Sequence, residues 1–411
     1  MDNPASPARS GIPSNILFAA PHRPFFLAGV LQATLAFVPW VWELLSRITP
    51  LPAPVWPWPP GWVHGLVAAY GIFPFFVFGF LLTAMPRWQG LADTPGSAAK
   101  RPWLPLVAGW LGFYAGLALD LATLRVIGLL LVTVGWGLML VALKPVAFAP
   151  GKPRLHPASA WYALAAGTLG LLAWTGFAAS GNPLLARIGI EAGLWWLLAP
   201  LFTVVSHRMI PFFSGSVLPA YTPFKPTWTL AVLLGASMLH GAFAMAGHAA
   251  WSWPADLAAA ATALWLSWKW QFRRSFAVRL LAMLHLGFLW VGIAWLLAGL
   301  QGLLHVAGID TLGLAPLHAL AAGFFATMTL GMVSRVSMGH SGRPLVADGL
   351  TWRLGLGLHG VATLRVLADV LPAAHGVFAA LAGIGWLIVF LPWAWRLAPI
   401  YLRPRADGKP G

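Results

Sequence analysis

The chain has 411 residues, of which 59% are apolar and only 9% are charged, and it contains no cysteine. Soluble domains average about 45–50% apolar residues, so an ordinary soluble enzyme is excluded. The lack of cysteine excludes disulfides, iron–sulfur clusters, thiolate copper sites and covalently attached c-type haem. The formal charge of +15 would suit a nucleic-acid binder. The charged residues lie between long apolar runs, however, so we expect the protein to be surrounded by membrane lipid and to have no nucleic-acid partner.

Twelve apolar stretches follow one another along the chain, and a bilayer requires about 20 helical residues for each crossing. Because backbone groups in hydrocarbon must be satisfied internally, these spans are expected to be helices. The predicted fold is all-α: one transmembrane domain over residues 1–411, a bundle of twelve helices with short tails. The predicted spans lie near 25–45, 62–84, 103–119, 126–143, 158–179, 184–205, 227–247, 254–270, 277–299, 312–333, 350–371 and 374–396.

Positive charge alternates between the two sides of this arrangement. When each Lys or Arg is assigned to its nearest loop, the termini and the even-numbered loops receive 21 of the 25. The other side receives Arg47, Arg125, Arg187 and Arg365. Because Lys and Arg accumulate on the cytoplasmic side, the pattern predicts a multi-pass protein of the bacterial inner membrane with both termini in the cytoplasm. Residues 1–24 lack an apolar core, so the first span should act as an uncleaved insertion signal.

Five of the twelve histidines fall within predicted spans. An ionisable side chain in hydrocarbon is costly and is usually functional. Small residues lie one helical turn from each, which leaves space for a flat macrocycle, although close helix packing would give the same pattern. We predict that His240, His285, His318 and His359 face a shared interior cavity, with at least two of them close enough to act as ligands of a metal or haem. The alternative is neutral histidines that are hydrogen-bonded between helices. The five are His64, His240, His285, His318 and His359, with His240, His285 and His318 as the metal candidates.

An arginine within the eleventh predicted span also requires an anionic partner. Arg365 has Asp369 four residues later, and a haem propionate is the other candidate. Arg187 and Glu191 form a similar pair in the sixth span, and we interpret that pair as structural.

Four segments at the predicted inner helix ends differ from ordinary loops. They read HRPFFLAG (22–29), GFLLTAMPRWQG (79–90), SHRMIPFF (206–213) and HALAAGFFATMTLGMVSRVSMGHSGRPL (318–345). Anchoring by positive charge explains their arginines but not the accompanying Pro, Trp and Gly-His pattern. We predict that Arg87, Arg208, Arg335, His340 and Arg343 converge at one cytoplasmic vestibule. The motif residues are Arg23, Arg87, Trp88, Arg208, Arg335, His340 and Arg343.

In this order, the four segments resemble the signatures of the NnrS family, twelve-helix bacterial membrane proteins linked to nitric oxide stress and denitrification. The similarity is strongest at 327–345 and 79–90, and the context of His285 resembles the family's ninth helix. The resemblance implies haem and copper as cofactors and a small gas such as nitric oxide as a ligand. One departure concerns the second helix, where the family pattern has two histidines and a glutamate. If His64 matches the first histidine, Leu66 and Val67 replace the other two residues, which implies weaker metal binding or none.

The function expected from this resemblance is that of a haem- and copper-binding inner-membrane protein of the response to nitric oxide and nitrosative stress. One alternative is a redox subunit like that of haem–copper oxidases, although the paired His-His and His-x-His of that subunit are absent from this chain. Another is a non-enzymatic transporter of copper or protons. The sequence leaves open whether the protein is an enzyme.

Overall fold

The computed structural model describes residues 15–309 and 312–408. Arg9 and Lys409, which the charge pattern assigns to the cytoplasm, lie outside these residues. Within them all regular secondary structure is helical, and there is no strand. We number the long helical segments in chain order. They are α1 His22–Ser46, α2 Pro60–Trp88, α3 Lys100–Ala118, α4 Ala122–Ala147, α5 Leu155–Ser180, α6 Pro183–Val217, α7 Thr227–Ala246, α8 Trp253–Lys269, α9 Arg279–Val306, α10 Ala315–His340, α11 Gly349–Val370 and α12 Pro372–Leu402.

Nine of these described segments are long and apolar enough to cross a membrane, and α3, α8 and α11 are shorter or more polar. α8 has only 17 residues and includes Asp256, and α11 carries Arg353, Arg365 and Asp369. The prediction of an all-helical membrane protein is therefore confirmed. The full count of twelve crossings, and the orientation, stay predictions.

Four helices form the centre of the bundle. In α2, α6, α9 and α10, 67–89% of the most apolar stretch is buried, against 39–44% in the other five apolar helices. The outer helices expose large apolar side chains such as Leu111, Val141, Leu169 and Ile388. A soluble monomer rarely presents so much contiguous apolar surface, so this face suits lipid.

Three of the central helices contain a π-helical segment. These segments are Val67–Ile72 in α2, Ala192–Leu198 in α6 and Ala319–Ala326 in α10. A π segment widens the helix locally and is frequently found at functional sites. The three segments are therefore candidates for the walls of a functional site.

The same three helices run in parallel. At their carboxyl-terminal ends, Nη1 of Arg87 in α2 lies 3.2 Å from Nε2 of His340 in α10. Nearby, Arg208 of α6 donates a 3.2 Å hydrogen bond to the carbonyl oxygen of Trp88 in α2. The amino-terminal halves, which contain the π segments, therefore meet at the opposite end of the bundle.

Candidate metal centre and arginine vestibule

A small cavity lies between the amino-terminal halves of α2 and α10. It has a volume of about 60 Å³ and is lined by His64, His318 and Arg365 among apolar side chains. We call it the histidine chamber. The His64 ring stacks on Trp40, with centroids 4.4 Å apart and planes 8° apart. Phe37 meets the same ring edge-on at 5.3 Å. These two aromatic contacts fix the orientation of the His64 imidazole.

Asp369 of α11 contacts both polar side chains that α10 and α11 contribute to this chamber. Its Oδ2 lies 2.7 Å from His318 Nδ1, and its Oδ1 lies 2.9 Å from Arg365 Nη1. The Asp369 side chain is only 3% exposed. Because the carboxylate accepts a hydrogen bond from Nδ1–H, the lone pair of His318 is on Nε2. This is the arrangement in which a metal-binding histidine is usually anchored.

A second carboxylate–histidine pair lines a larger neighbouring cavity of about 380 Å³, which we call the side cavity. There, His240 Nδ1 lies 3.0 Å from Asp256 Oδ2 and 2.9 Å from Ser252 Oγ. The His240 ring also packs on Trp195, with centroids 3.8 Å apart. Glu191 lies in the wall of the same cavity. The anchored His240 therefore also carries its lone pair on Nε2.

The π segments are directly connected to these two cavities. The segment in α6 begins one residue after Glu191, and the segment in α10 begins one residue after His318. The segment in α2 begins three residues after His64. Each cavity therefore has polar wall residues next to a widened helical turn, as expected of a functional site.

The four histidines predicted to share one cavity do not do so. His318 and His240 line separate cavities. His285 Nε2 lies 3.0 Å from Ser214 Oγ, and His359 Nδ1 accepts a 2.9 Å hydrogen bond from the indole of Trp290. His285 and His359 line neither cavity. In the described part of the chain, no three His, Asp or Glu side chains group closely enough to hold a metal by themselves.

The structure also tests the two ion pairs predicted from i,i+4 spacing. The Arg365–Asp369 pair forms, as the i,i+4 spacing predicts. Arg187 and Glu191 make no direct ion pair, because Arg187 instead donates a 2.6 Å hydrogen bond to the carbonyl oxygen of Ala244. This contact turns Arg187 toward α7 and leaves Glu191 in the wall of the side cavity.

At the opposite end of the bundle lies a cavity of about 350 Å³, which we call the arginine vestibule. Its walls combine cationic and aromatic side chains from the carboxyl-terminal ends of α2, α6 and α10 and from the loop after α6. The polar and aromatic lining residues are Thr83, Arg87, Arg208, Lys225, His340, Phe80, Trp88, Phe212 and Phe213.

Arg87 and His340 form one wall of this vestibule. Arg87 binds Asp93 through two hydrogen bonds of 2.8 and 2.9 Å. These hydrogen bonds lower the pKa of Asp93. His340 Nδ1 donates to the carbonyl oxygen of Val336 at 3.1 Å, so its Nε2 accepts from Arg87. The His340 ring also packs on that of His22, at 4.9 Å between centroids.

The other motif cations are arranged around the vestibule. The Arg208 guanidinium lies 5.0 Å from the centre of the Trp88 ring, and the Arg335 guanidinium lies 4.0 Å from that of Phe213. The structure thus brings Arg87, Arg208 and His340 together and places Arg335 against the wall.

Arg343 and Arg23 do not line the vestibule. Arg343 Nη1 is buried and has no hydrogen-bond partner among the residues described. Arg23 donates to the carbonyl oxygens of Ile16 and Arg403, at 3.3 and 3.0 Å. Arg23 therefore attaches the carboxyl-terminal tail to α1.

Comparison with known families agrees with this architecture. The family model described as NnrS protein matches residues 16–405, which includes both cavities and the vestibule. The chain belongs to the NnrS family. No curated protein matches it. In this NnrS member, Leu66 and Val67, where the sequence predicts a departure from the family, pack in the hydrophobic core.

Sequence reasoning missed three partners in these sites. Asp256 lay within a predicted span, where acids are rare, so its position alone could have marked it as functional. Asp369 was considered only as a partner of Arg365, although it also anchors His318. Lys225 lies in a loop that the charge pattern assigns to the cytoplasmic side, but it enters the vestibule only through the tertiary fold, so the sequence held no signal for its place in the site.

Proposed function

We propose that this chain is a metal-containing protein of the bacterial inner membrane that acts in the response to nitric oxide, with the histidine chamber as its copper site. Family membership supports the biological context. The observation that carries the chemistry is the carboxylate-anchored His318, which shares a small chamber with His64.

The donor set of the chamber fits copper. Imidazole nitrogen is a suitable copper ligand, and the anchored Nδ1 of His318 leaves Nε2 available. His64 has ring contacts but no hydrogen-bond partner in the described chain, so its nitrogens are free to bind. The charge of Arg365 is balanced by Asp369, which reduces its repulsion of a cation. Copper bound here would supply a coordination position for a diatomic gas such as nitric oxide.

Size separates the two implied cofactors. Small-molecule sites usually have volumes of about 300–1,000 Å³, so a haem does not fit the chamber of about 60 Å³. The side cavity, at about 380 Å³, lies within that range. There His240, anchored by Asp256, is the histidine that would hold the haem iron. Arg365 lines the chamber, so we do not assign it to a haem propionate.

Metal analysis and absorption spectroscopy on the purified full-length protein test this proposal. His64→Ala and His318→Ala should each weaken copper binding by at least about 10–100-fold, the usual effect of losing even an outer-shell partner. His240→Ala should remove the haem absorption band while copper is retained. His285→Ala and His359→Ala serve as matched controls, because these buried histidines line neither cavity.

Two outcomes would contradict the assignment. If His64→Ala and His318→Ala bind copper as the wild type does, the chamber is not the copper site. If His285→Ala or His359→Ala abolishes a cofactor that His240→Ala retains, the ligands lie outside the two cavities. Wild-type protein that binds neither copper nor haem would remove the chemical basis of the proposal.

A further inference from the structure

The arginine vestibule contains more positive charge than its acidic residues balance. Arg87 is paired with Asp93. In contrast, Arg208, Lys225 and Arg335 have no carboxylate partner within the described chain. Arg208 and Arg335 lie over aromatic rings instead. Arg208 and Lys225 therefore line the cavity, and Arg335 packs behind Phe213 in its wall, with no carboxylate among the described residues to neutralise them.

This arrangement is energetically demanding. A cation removed from water loses hydration free energy that only an anion or hydrogen-bond acceptors can restore. Arg335 is only 9% exposed. Burial, with a further contribution from Arg208, lowers the pKa of Lys225. An anionic ligand in the vestibule would offset both costs.

We propose that the arginine vestibule binds a phosphate-type oxyanion that carries an apolar portion. The planar guanidinium of Arg208 matches the geometry of phosphate oxygens, and Lys225 adds a second charge on the same wall. Phe80 and Phe212 line the remainder of the cavity and suit an apolar group. The volume of about 350 Å³ lies within the usual range for ligand sites.

Two sources could supply such an anion. The vestibule lies at the predicted cytoplasmic helix ends, where phospholipid headgroups of the inner leaflet and soluble phosphates are both present. The proposal does not depend on copper or haem, because the vestibule lies at the opposite end of the bundle from the chamber.

Calorimetric titration of the full-length protein in a neutral detergent tests the proposal. The probes are short-chain phosphatidylglycerol, inorganic phosphate and phosphatidylcholine of the same chain length. A charge-assisted hydrogen bond is worth about 1.5–3 kcal/mol, so Arg208→Gln should weaken binding of the anionic probe roughly 10–100-fold. Lys225→Gln and Arg335→Gln should act in the same direction. The matched control is Arg273→Gln, because Arg273 is an exposed cation outside the vestibule.

Each outcome decides the question. Binding of phosphatidylglycerol but not of inorganic phosphate supports the proposal with lipid as the source, and binding of both supports it with soluble phosphates as a second source. Binding of inorganic phosphate alone would overturn the apolar portion of the ligand. The proposal is overturned if neither anion binds, or if phosphatidylcholine binds as tightly as phosphatidylglycerol. Equal affinity of wild type, Arg208→Gln and Lys225→Gln for the anionic probe would also overturn it. Both variants should fold, because both residues lie at the cavity surface, where substitution should be tolerated.

Discussion

Asp369 connects three cationic or titratable side chains around the histidine chamber. It accepts a hydrogen bond from His318, pairs with Arg365 and lies 3.8 Å from His375 Nδ1. A buried carboxylate of this kind sets both the orientation of the imidazole and the charge of the site. The proposed copper chemistry therefore depends on a residue that would not itself contact the metal.

Replacing this carboxylate should separate its role in orienting the His318 imidazole from its role in balancing the charge of Arg365. Asp369→Asn should weaken copper binding about 10–100-fold, and it should lower stability because Arg365 loses its anionic partner. The double variant Arg365→Gln/Asp369→Asn should recover stability but not copper affinity, as copper competition titration and thermal unfolding would show. Asp120→Asn is the control, because Asp120 pairs with Arg125 at an exposed position. Full copper affinity in Asp369→Asn would show that the anchor is unimportant.

At the scale of elements, α3 and α4 pack unusually closely through glycine. A Cβ atom at Gly128 would lie 2.5 Å from the backbone nitrogen of Phe113 and 2.7 Å from the carbonyl oxygen of Gly109. These are backbone atoms, so a side chain at Gly128 would have to push the helices apart. Without a hydrophobic driving force between helices in lipid, such close backbone contact is a main source of association.

A single methyl group should therefore disrupt this pair of helices. Gly128→Ala should destabilise the protein by about 1–3 kcal/mol, the usual cost of overpacking. Gly137→Ala on the same helix should be neutral or stabilising by up to about 1 kcal/mol, since its Cβ would meet nothing within 4 Å. Thermal unfolding in detergent, followed by circular dichroism, measures both. Equal effects of the two substitutions would show that close α3–α4 packing does not limit stability.

At the scale of the whole molecule, charge is segregated between the two ends of the bundle. The arginine vestibule collects cations from α2, α6 and the loop before α7, whereas the histidine chamber contains one arginine neutralised by Asp369. If the vestibule end is cytoplasmic, this segregation follows the rule that positive charge remains inside.

Reporter fusions test this orientation. A phosphatase that is active only in the periplasm should be inactive when fused after Pro410, and a fluorescent protein at the same position should fluoresce. Fusion after Pro52, in the loop between α1 and α2, should give the opposite pattern. Active phosphatase at Pro410 would rule out a cytoplasmic carboxyl terminus, and activity at both Pro52 and Pro410 would also rule out an even number of crossings.

Local properties of the sequence were sufficient to predict the helices and to predict which polar residues lie near the same helix ends. Hydrophobic runs of span length correspond to the helical segments, because a helix in lipid satisfies its own backbone. The motifs at the predicted inner ends identified Arg87, Arg208 and His340 as neighbours, since three parallel helices bring equivalent ends together. The family resemblance was also available from these motifs alone.

The rotation of each helix about its axis was decided only by the tertiary structure. Helices that are apolar on every side contain no amphipathic signal of which face points inward. The sequence therefore could not separate His318, which lines the chamber, from His285, which binds Ser214. The carboxylate partners Asp256 and Asp369 come from neighbouring helices, so their contacts with histidine depend on packing between helices rather than on spacing along one.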